Sequence, residues 1–520
     1  MWGDSRDGHH DGSSSDRLST AHIERGSAPP DEHTRLLPNQ VDSQAYLSPD
    51  DPAVSPYNLW SIRISRYFTI LFAIIALAWW TILLAATFFA PPGFHSRGSG
   101  FSAFGYAGLA LANLLFTLLF FAVPAKAVRI ASLVTGCLLL INTVLLVSVQ
   151  QTRYEEGWVG VASVLWALIA SIWTLATDRL VAWGKHEEEE RLTGRAETRR
   201  TLGEWIAVLI STLSMVIITV IVFLMTCALF LRALDAGLAA PGNMYWVDGG
   251  KYRLHVYCRG NQSDSKLPTV LLEGERPVED GLWDFADNAI KNGSIHRYCF
   301  VDRPGFAWSD AAPSPLSAGM AVEAVDEALT RAGESGPWVL MSAGIGSIYS
   351  RIFSSRHGGD IKGLLLVDPL HEDLLEDVGS LGRGFALWIK GILSPLGLDQ
   401  VPGAVFRGRT KEDRVWGRCA YQTGKYIFAK LQENMLADTL SKRDVASSRA
   451  IQALNVPLTL VSSGVKIRED SRWKEKQRDL SGLTDVLRHW DIVGHAPHRV
   501  WETIRGRDLI EERLKQLVNE

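Results

Sequence analysis

The C-terminal half of the chain carries serine, histidine and aspartate residues that could together perform nucleophilic catalysis. Ser342 or Ser347 would attack an ester carbonyl, and His495 would accept the proton of the hydroxyl group. Asp368 would orient that histidine and stabilise its protonated form. These residue types predict acyl-transfer chemistry, carried out by a serine or by a water molecule that His495 activates.

The residues that flank these serines argue against that chemistry. A nucleophile on a sharp turn from strand to helix needs a small residue two positions away on either side. Ser342 would need one at Leu340 and Ser347 would need one at Tyr349, so neither serine fits. The pattern fits Gly344, which has small residues at both positions but no side chain with which to attack. The sequence therefore predicts that serine-hydrolase activity has been lost.

The acid and the base each have alternatives. Asp368 could be the acid, although an aspartate at this place could equally cap the next helix or turn. Glu469 or Asp470 could act as the acid only if the loop that carries them were longer. His498 lies three residues after His495 and could be the titrating residue instead.

The elements that must position these residues begin near Tyr245, where short apolar segments alternate with polar helical stretches. This pattern predicts a mostly parallel α/β sheet. The predicted strands are 252–258, 269–273, 298–302, 338–342, 363–368, 458–462 and 489–493. Residues 370–455 lack strand character and predict a helical cap. Its apolar residues would pack on the core or admit lipid acyl chains; they are Leu387, Trp388, Ile389, Ile392, Leu393 and Leu396.

Five segments of residues 245–520 resemble α/β-hydrolases. They correspond to the third strand, the turn after the fourth strand, the nucleophile elbow, the end of strand six and the loop of the catalytic histidine. The segments are 268–274, 301–310, 338–347, 366–369 and 492–495. Because their order and spacing cover nearly the whole region, the resemblance implies an α/β-hydrolase fold with a helical cap. It also favours Asp368, after strand six, as the acid and His495 as the catalytic histidine.

The loop that would stabilise an oxyanion departs from this resemblance. Hydrolases place a glycine-rich turn here so that a backbone N–H faces the developing charge. This chain has Gly274, Glu275, Arg276 and Pro277, and proline donates no N–H. We therefore expect a domain without serine-hydrolase activity that binds a lipid or small hydrophobic molecule, or acts as a scaffold. The alternative is an active ester or lipid hydrolase that uses Ser342 or Ser347.

The resemblance also brings two of the five cysteines together. In this fold the strands that carry Cys258 and Cys299 are antiparallel neighbours, and an oxidising lumen would allow a disulfide. The alternative is two buried free thiols. No metal-ligand spacing or phosphate-binding glycine loop is present in the sequence, so neither a metal nor a cofactor is expected.

The N-terminal part of the 520 residues predicts a membrane protein. Overall the chain is 47% hydrophobic and has a formal net charge of −4, which gives no electrostatic basis for binding nucleic acid. Within residues 59–235, five apolar segments approach the roughly 20 residues that cross a bilayer. They are 67–89, 103–123, 130–149, 158–176 and 205–231. The fold class expected is therefore an α-helical transmembrane bundle followed by the α/β domain.

The loops between these segments predict the orientation. Basic residues concentrate before the first span and in the second and fourth loops, whereas the alternate loops contain only Arg97 and Arg153. The positive-inside rule places the N-terminus in the cytosol and, after five spans, the C-terminal domain in the lumen. Asn261 and Asn292 both begin acceptor sequences for N-glycosylation, which fits a lumenal domain.

Residues 1–58 are polar and predict a disordered cytosolic tail. Glu32, Leu36 and Leu37 within it resemble an acidic dileucine signal that sorting adaptors bind, although such a short pattern also occurs by chance. The plan of several spans followed by an α/β-hydrolase-fold domain resembles a family of fungal integral membrane proteins of unassigned function. We expect an endomembrane or vacuolar location, with mitochondria as the alternative that this resemblance leaves open.

Overall fold

Five long helices form the N-terminal part of a computed structural model of the chain, which describes residues 56–194, 200–261 and 267–519. The helices are α1 (Trp60–Phe88), α2 (Phe101–Leu119), α3 (Lys126–Ser148), α4 (Gln150–Thr193) and α5 (Leu202–Asp235). Each is long and apolar enough to cross a membrane, which confirms the five predicted spans. The proposed sorting signal at Glu32, Leu36 and Leu37 lies outside the described residues.

Helix α4 is longer than the predicted fourth span, 158–176, at both ends: it continues to Thr193, and before the span a second helical segment joins it at Gly157. This glycine has a backbone φ of +64°, a left-handed conformation that other residues adopt only with strain. Residues 150–156 therefore form a separate short helical segment before the spanning segment. That segment carries Glu155 and Glu156, which both contact Arg232 near the end of α5.

An eight-stranded sheet forms the centre of the C-terminal domain. Its strands are β1 (Asn243–Val247), β2 (Tyr252–Gly260), β3 (Thr269–Glu273), β4 (Arg297–Val301), β5 (Trp338–Ala343), β6 (Ile361–Val367), β7 (Leu458–Ser463) and β8 (Leu487–Val493). The order is β1-β2-β4-β3-β5-β6-β7-β8, with β2 antiparallel to both neighbours and the remaining pairs parallel. This topology confirms the α/β-hydrolase fold. The edge strand β1 was missed because it is short and only partly buried.

Helices cover both faces of this sheet. Those of the domain are α6 (Leu282–Lys291), α7 (Ala318–Ala332), α8 (Gly346–Arg356), α9 (Leu375–Val378), α10 (Leu381–Leu393), α11 (Gln400–Phe406), α12 (Lys411–Val415), α13 (Gly424–Leu436), α14 (Lys442–Ile451), α15 (Gly464–Glu469), α16 (Ser471–Leu480) and α17 (Ile504–Asn519). Phe285 of α6 and Ile510 of α17 belong to one buried layer, and Val322 of α7 and Ile348 of α8 belong to the other. Helices α9 to α14 lie between β6 and β7 and form the expected cap.

The predicted disulfide is confirmed. Cys258 of β2 and Cys299 of β4 are directly opposite each other in the antiparallel register, and their sulfur atoms are bonded. The sheet order places them together although they are 41 residues apart.

The domain is fixed to one end of the helix bundle. The loop between α1 and α2 pairs with the domain through two backbone hydrogen bonds, from Ala90 N to Ser314 O (3.0 Å) and from Ala311 N to Arg97 O (2.7 Å). At the end of α5, Asp235 forms an ion pair with Arg414 of the cap. The ends of the helices are therefore in direct contact with the domain.

Candidate functional site

The turn from β5 to α8 has the geometry of a nucleophile elbow. Gly344 occupies it with a backbone φ of +56°, and its N–H donates to Val367 O of the neighbouring strand. A Cβ atom built on Gly344 would lie 3.1 Å from Nε2 of His498. The position from which a nucleophile would meet its base is therefore occupied by a residue without a side chain.

Asp368 lies where the acid of such a site is expected, directly after β6. Its buried carboxylate accepts a hydrogen bond of 2.5 Å from Nδ1 of His498. The other carboxylate oxygen accepts from Ser463 N and Trp473 Nε1, each at 3.0 Å. Because three donors fix this carboxylate, it holds the imidazole of His498 in one orientation.

The histidine beside Asp368 is thus His498, and His495 is not brought into the site. His495 is exposed and forms no hydrogen bond or ion pair with other described residues. The alternative acids are also placed elsewhere, since Glu469 ends α15 and Asp470 caps α16 by accepting from Trp473 N. The correction from His495 to His498 follows from the path of the loop after β8, which the spacing of the histidines does not specify.

A second carboxylate contacts the opposite side of the same imidazole. Oε2 of Glu275, in the predicted oxyanion loop, lies 3.0 Å from Nε2 of His498. Burial favours the neutral form of His498, but hydrogen bonds to Asp368 and Glu275 outweigh it and raise its pKa to about 9. Burial likewise disfavours the ionised form of Glu275, yet the hydrogen bond and charge of His498 lower the pKa of this carboxyl to about 2. At neutral pH the site therefore contains an imidazolium between two carboxylates.

Neither candidate serine contacts this histidine. The hydroxyl of Ser347 donates to Gly344 O (2.7 Å) and accepts from Leu370 N (3.1 Å), so it ties the elbow to the segment after β6. Ser342 is buried at the end of β5, and its Oγ has no hydrogen-bond partner among the described residues. The structure thus places the side chains of both serines away from the base.

A buried arginine, Arg303, fixes the oxyanion loop. The sequence did not reveal this residue as part of the site. Arg303 donates to Gly274 O (2.9 Å) and Glu275 O (3.2 Å) and forms ion pairs with Glu273 and Glu433, both at 2.9 Å. Glu433 belongs to α13 of the cap. The loop that carries Glu275 is therefore fixed to both the sheet and the cap.

Two small cavities lie near the oxyanion loop and the cap. One cavity between the turn after β4 and the cap, and another between the oxyanion loop and Trp501, each have a volume of about 10 Å³. Such a volume accommodates about one water molecule. Neither of these two cavities is large enough for a lipid.

Three buried side chains near the oxyanion loop have the chemistry of metal ligands. His255, Glu279 and Asp302 are buried with their ligand atoms within 4.8 Å of one another. Nδ1 of His255 is hydrogen-bonded to Asp302 (2.9 Å). Burial and the neighbouring Asp302 raise the pKa of Glu279 well above its usual range. Both carboxylate oxygens of Glu279 and Oδ1 of Asp302 are buried without a hydrogen-bond partner among the described residues. The cluster joins β2, the end of β4 and the segment after the oxyanion loop.

Similarity to known proteins identifies the family. The family described as "Region of unknown function (DUF2417)" matches residues 32–258. An uncharacterized protein of Schizosaccharomyces pombe is 31% identical over 94% of this chain and 96% of its own length. The chain belongs to the DUF2417 family. An uncharacterized vacuolar membrane protein of Saccharomyces cerevisiae is 26% identical over 62% of this DUF2417 chain and 60% of its own length.

Solved structures resemble part of this DUF2417 protein. An alpha/beta hydrolase enzyme from a Medee basin deep-sea metagenome library has 12% identity and a TM-score of 0.40, covering 54% of this chain and 98% of its own. The enol-lactonase from Burkholderia xenovorans LB400 has 14% identity and a TM-score of 0.36, covering 54% of this chain and 100% of its own.

Proposed function

We propose that this protein is a membrane protein whose α/β-hydrolase-fold domain binds its ligand or partner without performing serine-hydrolase chemistry. The observation that carries the proposal is the contact between Glu275 and Nε2 of His498, directly in front of Gly344. A general base must present an unprotonated nitrogen to the nucleophile. Here that nitrogen donates to a carboxylate, and Gly344 supplies no hydroxyl group.

The same contacts support a structural role for the former catalytic residues. His498 links Asp368 at the end of β6 to Glu275 in the oxyanion loop, and Arg303 fixes that loop from the other side. An ion pair that is partly shielded from water and hydrogen-bonded at both ends stabilises the arrangement of the loops it joins. We infer that the triad of Asp368, His498 and Glu275 holds the loops around the elbow in fixed positions.

A fluorophosphonate probe tests the proposal on the purified full-length protein. We expect no covalent labelling under conditions in which an authentic serine hydrolase is labelled completely. Ser342→Ala and Ser347→Ala are the matched variants. Labelling of the unmodified protein that either substitution abolishes would overturn the proposal and support the active ester or lipid hydrolase.

We also propose that the protein resides in an endomembrane, with its N-terminus in the cytosol and its α/β-hydrolase-fold domain in the lumen. The distribution of basic residues, the disulfide and the exposed positions of Asn261 and Asn292 support this orientation. A shift on gels after glycosidase treatment, lost stepwise in Asn261→Gln and Asn292→Gln, is the expected result. Digestion of the domain by protease added to the cytosolic side of intact vesicles would contradict it.

A further inference from the structure

A cavity of about 310 Å³ lies where the helix bundle meets the C-terminal domain. Its lining comes from the ends of α2, α3, α4 and α5 and from the cap. The apolar part includes Leu146 of α3 and Met225 and Leu229 of α5. The charged part includes Glu156 of α4 and Lys425 of α13. This cavity shares no lining residue with the elbow triad of Asp368, His498 and Glu275.

Two adjacent carboxylates and one guanidinium form the membrane side of the charged part. Arg232 donates to Glu156 Oε1 and to Glu155 Oε2, both at 2.7 Å. The side chain of Glu156 is only 1% exposed, and its second oxygen, Oε2, has no hydrogen-bond partner among the described residues. A buried carboxylate oxygen without a donor costs free energy, so it favours a ligand that supplies an N–H or O–H group.

Lys425 supplies the opposite charge from the cap. Its ammonium donates to Ala307 O at 2.7 Å and has no carboxylate within ion-pair distance among the described residues. Because an ammonium has three N–H groups, donors remain for an anionic group of a ligand.

The charges around the cavity balance. Glu155 and Glu156 are offset by Arg232 and Lys425, while the other charged groups of the lining are paired: Asp235 with Arg414, and Arg253 with Asp310. A ligand with a net charge would leave one charge uncompensated in a shielded cavity, which is unfavourable.

We propose that this junction cavity binds a zwitterion that carries a primary ammonium and a carboxylate or phosphate group. The ammonium would donate to Glu156 Oε2, and the anionic group would accept from Lys425. A quaternary ammonium has no N–H group and would leave Glu156 Oε2 without a donor. The inference goes beyond the proposed loss of hydrolase activity, because no elbow residue takes part in it.

The size and position of the cavity are compatible with two kinds of zwitterionic ligand. Its volume lies at the lower end of the range for small-ligand sites, about 300–1,000 Å³. A free amino acid or the head group of an aminophospholipid would match that size. In the second case the apolar residues of α3 and α5 would contact the first carbons of the acyl chains.

Calorimetric titration of the full-length protein in phosphatidylcholine nanodiscs tests the proposal. The probes are glycerophosphoethanolamine, glycerophosphocholine and free leucine, and native mass spectrometry detects retained phosphatidylethanolamine. We expect at least one primary-ammonium zwitterion to bind, and glycerophosphocholine to bind at least roughly tenfold more weakly, as expected for a lost charge-assisted hydrogen bond. Leucine binding alone would assign the free source, and binding of the ethanolamine compounds would assign the lipid.

Two substitutions in the cavity locate the site. Glu156→Gln and Lys425→Met should each weaken binding by roughly tenfold or more. Lys474→Met, at an exposed position on α16, is the matched control and should leave binding unchanged. Lys425→Met leaves the ion pairs of Arg232 intact, so it remains informative if Glu156→Gln unfolds. The proposal would be overturned if none of the three probes bound and no phosphatidylethanolamine were retained, or if both glycerophospho compounds bound measurably and with equal affinity. Equal effects of Lys425→Met and Lys474→Met would also overturn it.

Discussion

At the scale of single residues, the pairing of His498 with two carboxylates differs from the arrangement of a catalytic triad. In a catalytic triad one nitrogen of the histidine faces the acid and the other faces the nucleophile. Here Glu275 takes the nucleophile's place, and the imidazole is charged at neutral pH. Under the proposed function, this ion pair holds loops together and does not serve chemistry that requires a neutral histidine.

This pairing predicts the pH dependence of His498. We expect its imidazole to titrate near pH 9 and the variant Glu275→Gln to shift that pKa down towards the ordinary 6.5, because one charged acceptor is lost. Histidine NMR spectra of the labelled full-length protein measure both values. Titration of His498 below pH 7 in the unmodified protein would contradict the assignment.

The same shifts predict where the pair stabilises the fold. The raised pKa of His498 stabilises the folded state fully below about pH 6.5, and this contribution is lost as the pH rises through about 9. The lowered pKa of Glu275 contributes above about pH 4.5 and is lost as the pH falls through about 2. The difference in melting temperature between the unmodified protein and Glu275→Gln should therefore be largest between pH 4.5 and 6.5. A difference that grows above pH 9 would contradict this.

Restoring a nucleophile should require removal of Glu275 as well. A serine at Gly344 would place its Cβ 3.1 Å from the Cβ of Glu275 and from Nε2 of His498, in a region tighter than ordinary contact. We expect Gly344→Ser alone to remain inactive. Gly344→Ser combined with Glu275→Ala should hydrolyse p-nitrophenyl acetate roughly 10²-fold faster than Glu275→Ala alone, the lower end of what a general base contributes. If Gly344→Ser alone hydrolysed the ester as fast as Gly344→Ser combined with Glu275→Ala, Glu275 would not block the site.

At the scale of elements, the contact between the cap and the end of α5 joins the two parts of the chain. Arg414 of α12 and Asp235 at the end of α5 are both largely buried and form two hydrogen bonds, of 2.8 and 2.5 Å. The cap also contacts α5 at a second place. Gly397, with a backbone φ of +60°, lies directly against Ala228 of α5. The cap is therefore part of the junction with the membrane bundle, besides covering the elbow.

Removing one partner of that ion pair should loosen the junction. Asp235→Asn leaves a shielded guanidinium without its counter-charge, and we expect a loss of roughly 3 kcal/mol in the free energy of unfolding. The double variant Asp235→Asn with Arg414→Met should recover part of that loss because no unpaired charge remains. Thermal unfolding and proteolysis of residues 394–424 measure the effect. A double variant less stable than Asp235→Asn would contradict this account.

At the scale of the whole molecule, helix α10 extends the apolar surface of the membrane bundle onto the domain. Leu381, Phe385, Ile389 and Leu393 are spaced four residues apart and are exposed, by 91% for Leu381 and 64% for Phe385. On the neighbouring side of the same helix, Trp388 meets Phe88 at the end of α1. An exposed apolar stripe that continues from the end of a spanning helix is typical of a helix at the membrane interface.

We therefore expect α10 to contact lipid. A fluorophore attached at Phe385→Cys should be quenched by nitroxides on lipid acyl chains in nanodiscs, because the position would lie at the boundary of the hydrocarbon region. Lys474→Cys, which is exposed on α16, is the matched control and should not be quenched. Equal quenching at both positions would contradict the placement of α10.

The sequence by itself determined the features that depend on local composition. Five apolar segments of spanning length, the alternation of strands and helices, and Gly344 at the elbow follow from residues that are neighbours along the chain. The disulfide between Cys258 and Cys299 also followed, because the resemblance to α/β-hydrolases implied which strands are adjacent.

Only the tertiary structure decided which side chains meet. A shift of three residues in the loop after β8 separates His498, which contacts Asp368, from the predicted His495, which faces solvent. The contact of Glu275 with His498 joins residues more than 200 positions apart, and the junction cavity combines helix ends with the cap. Such contacts depend on loop paths and on the docking of one part of the chain against another. Hydrophobic periodicity does not encode these, because it reports only which face of each element is buried.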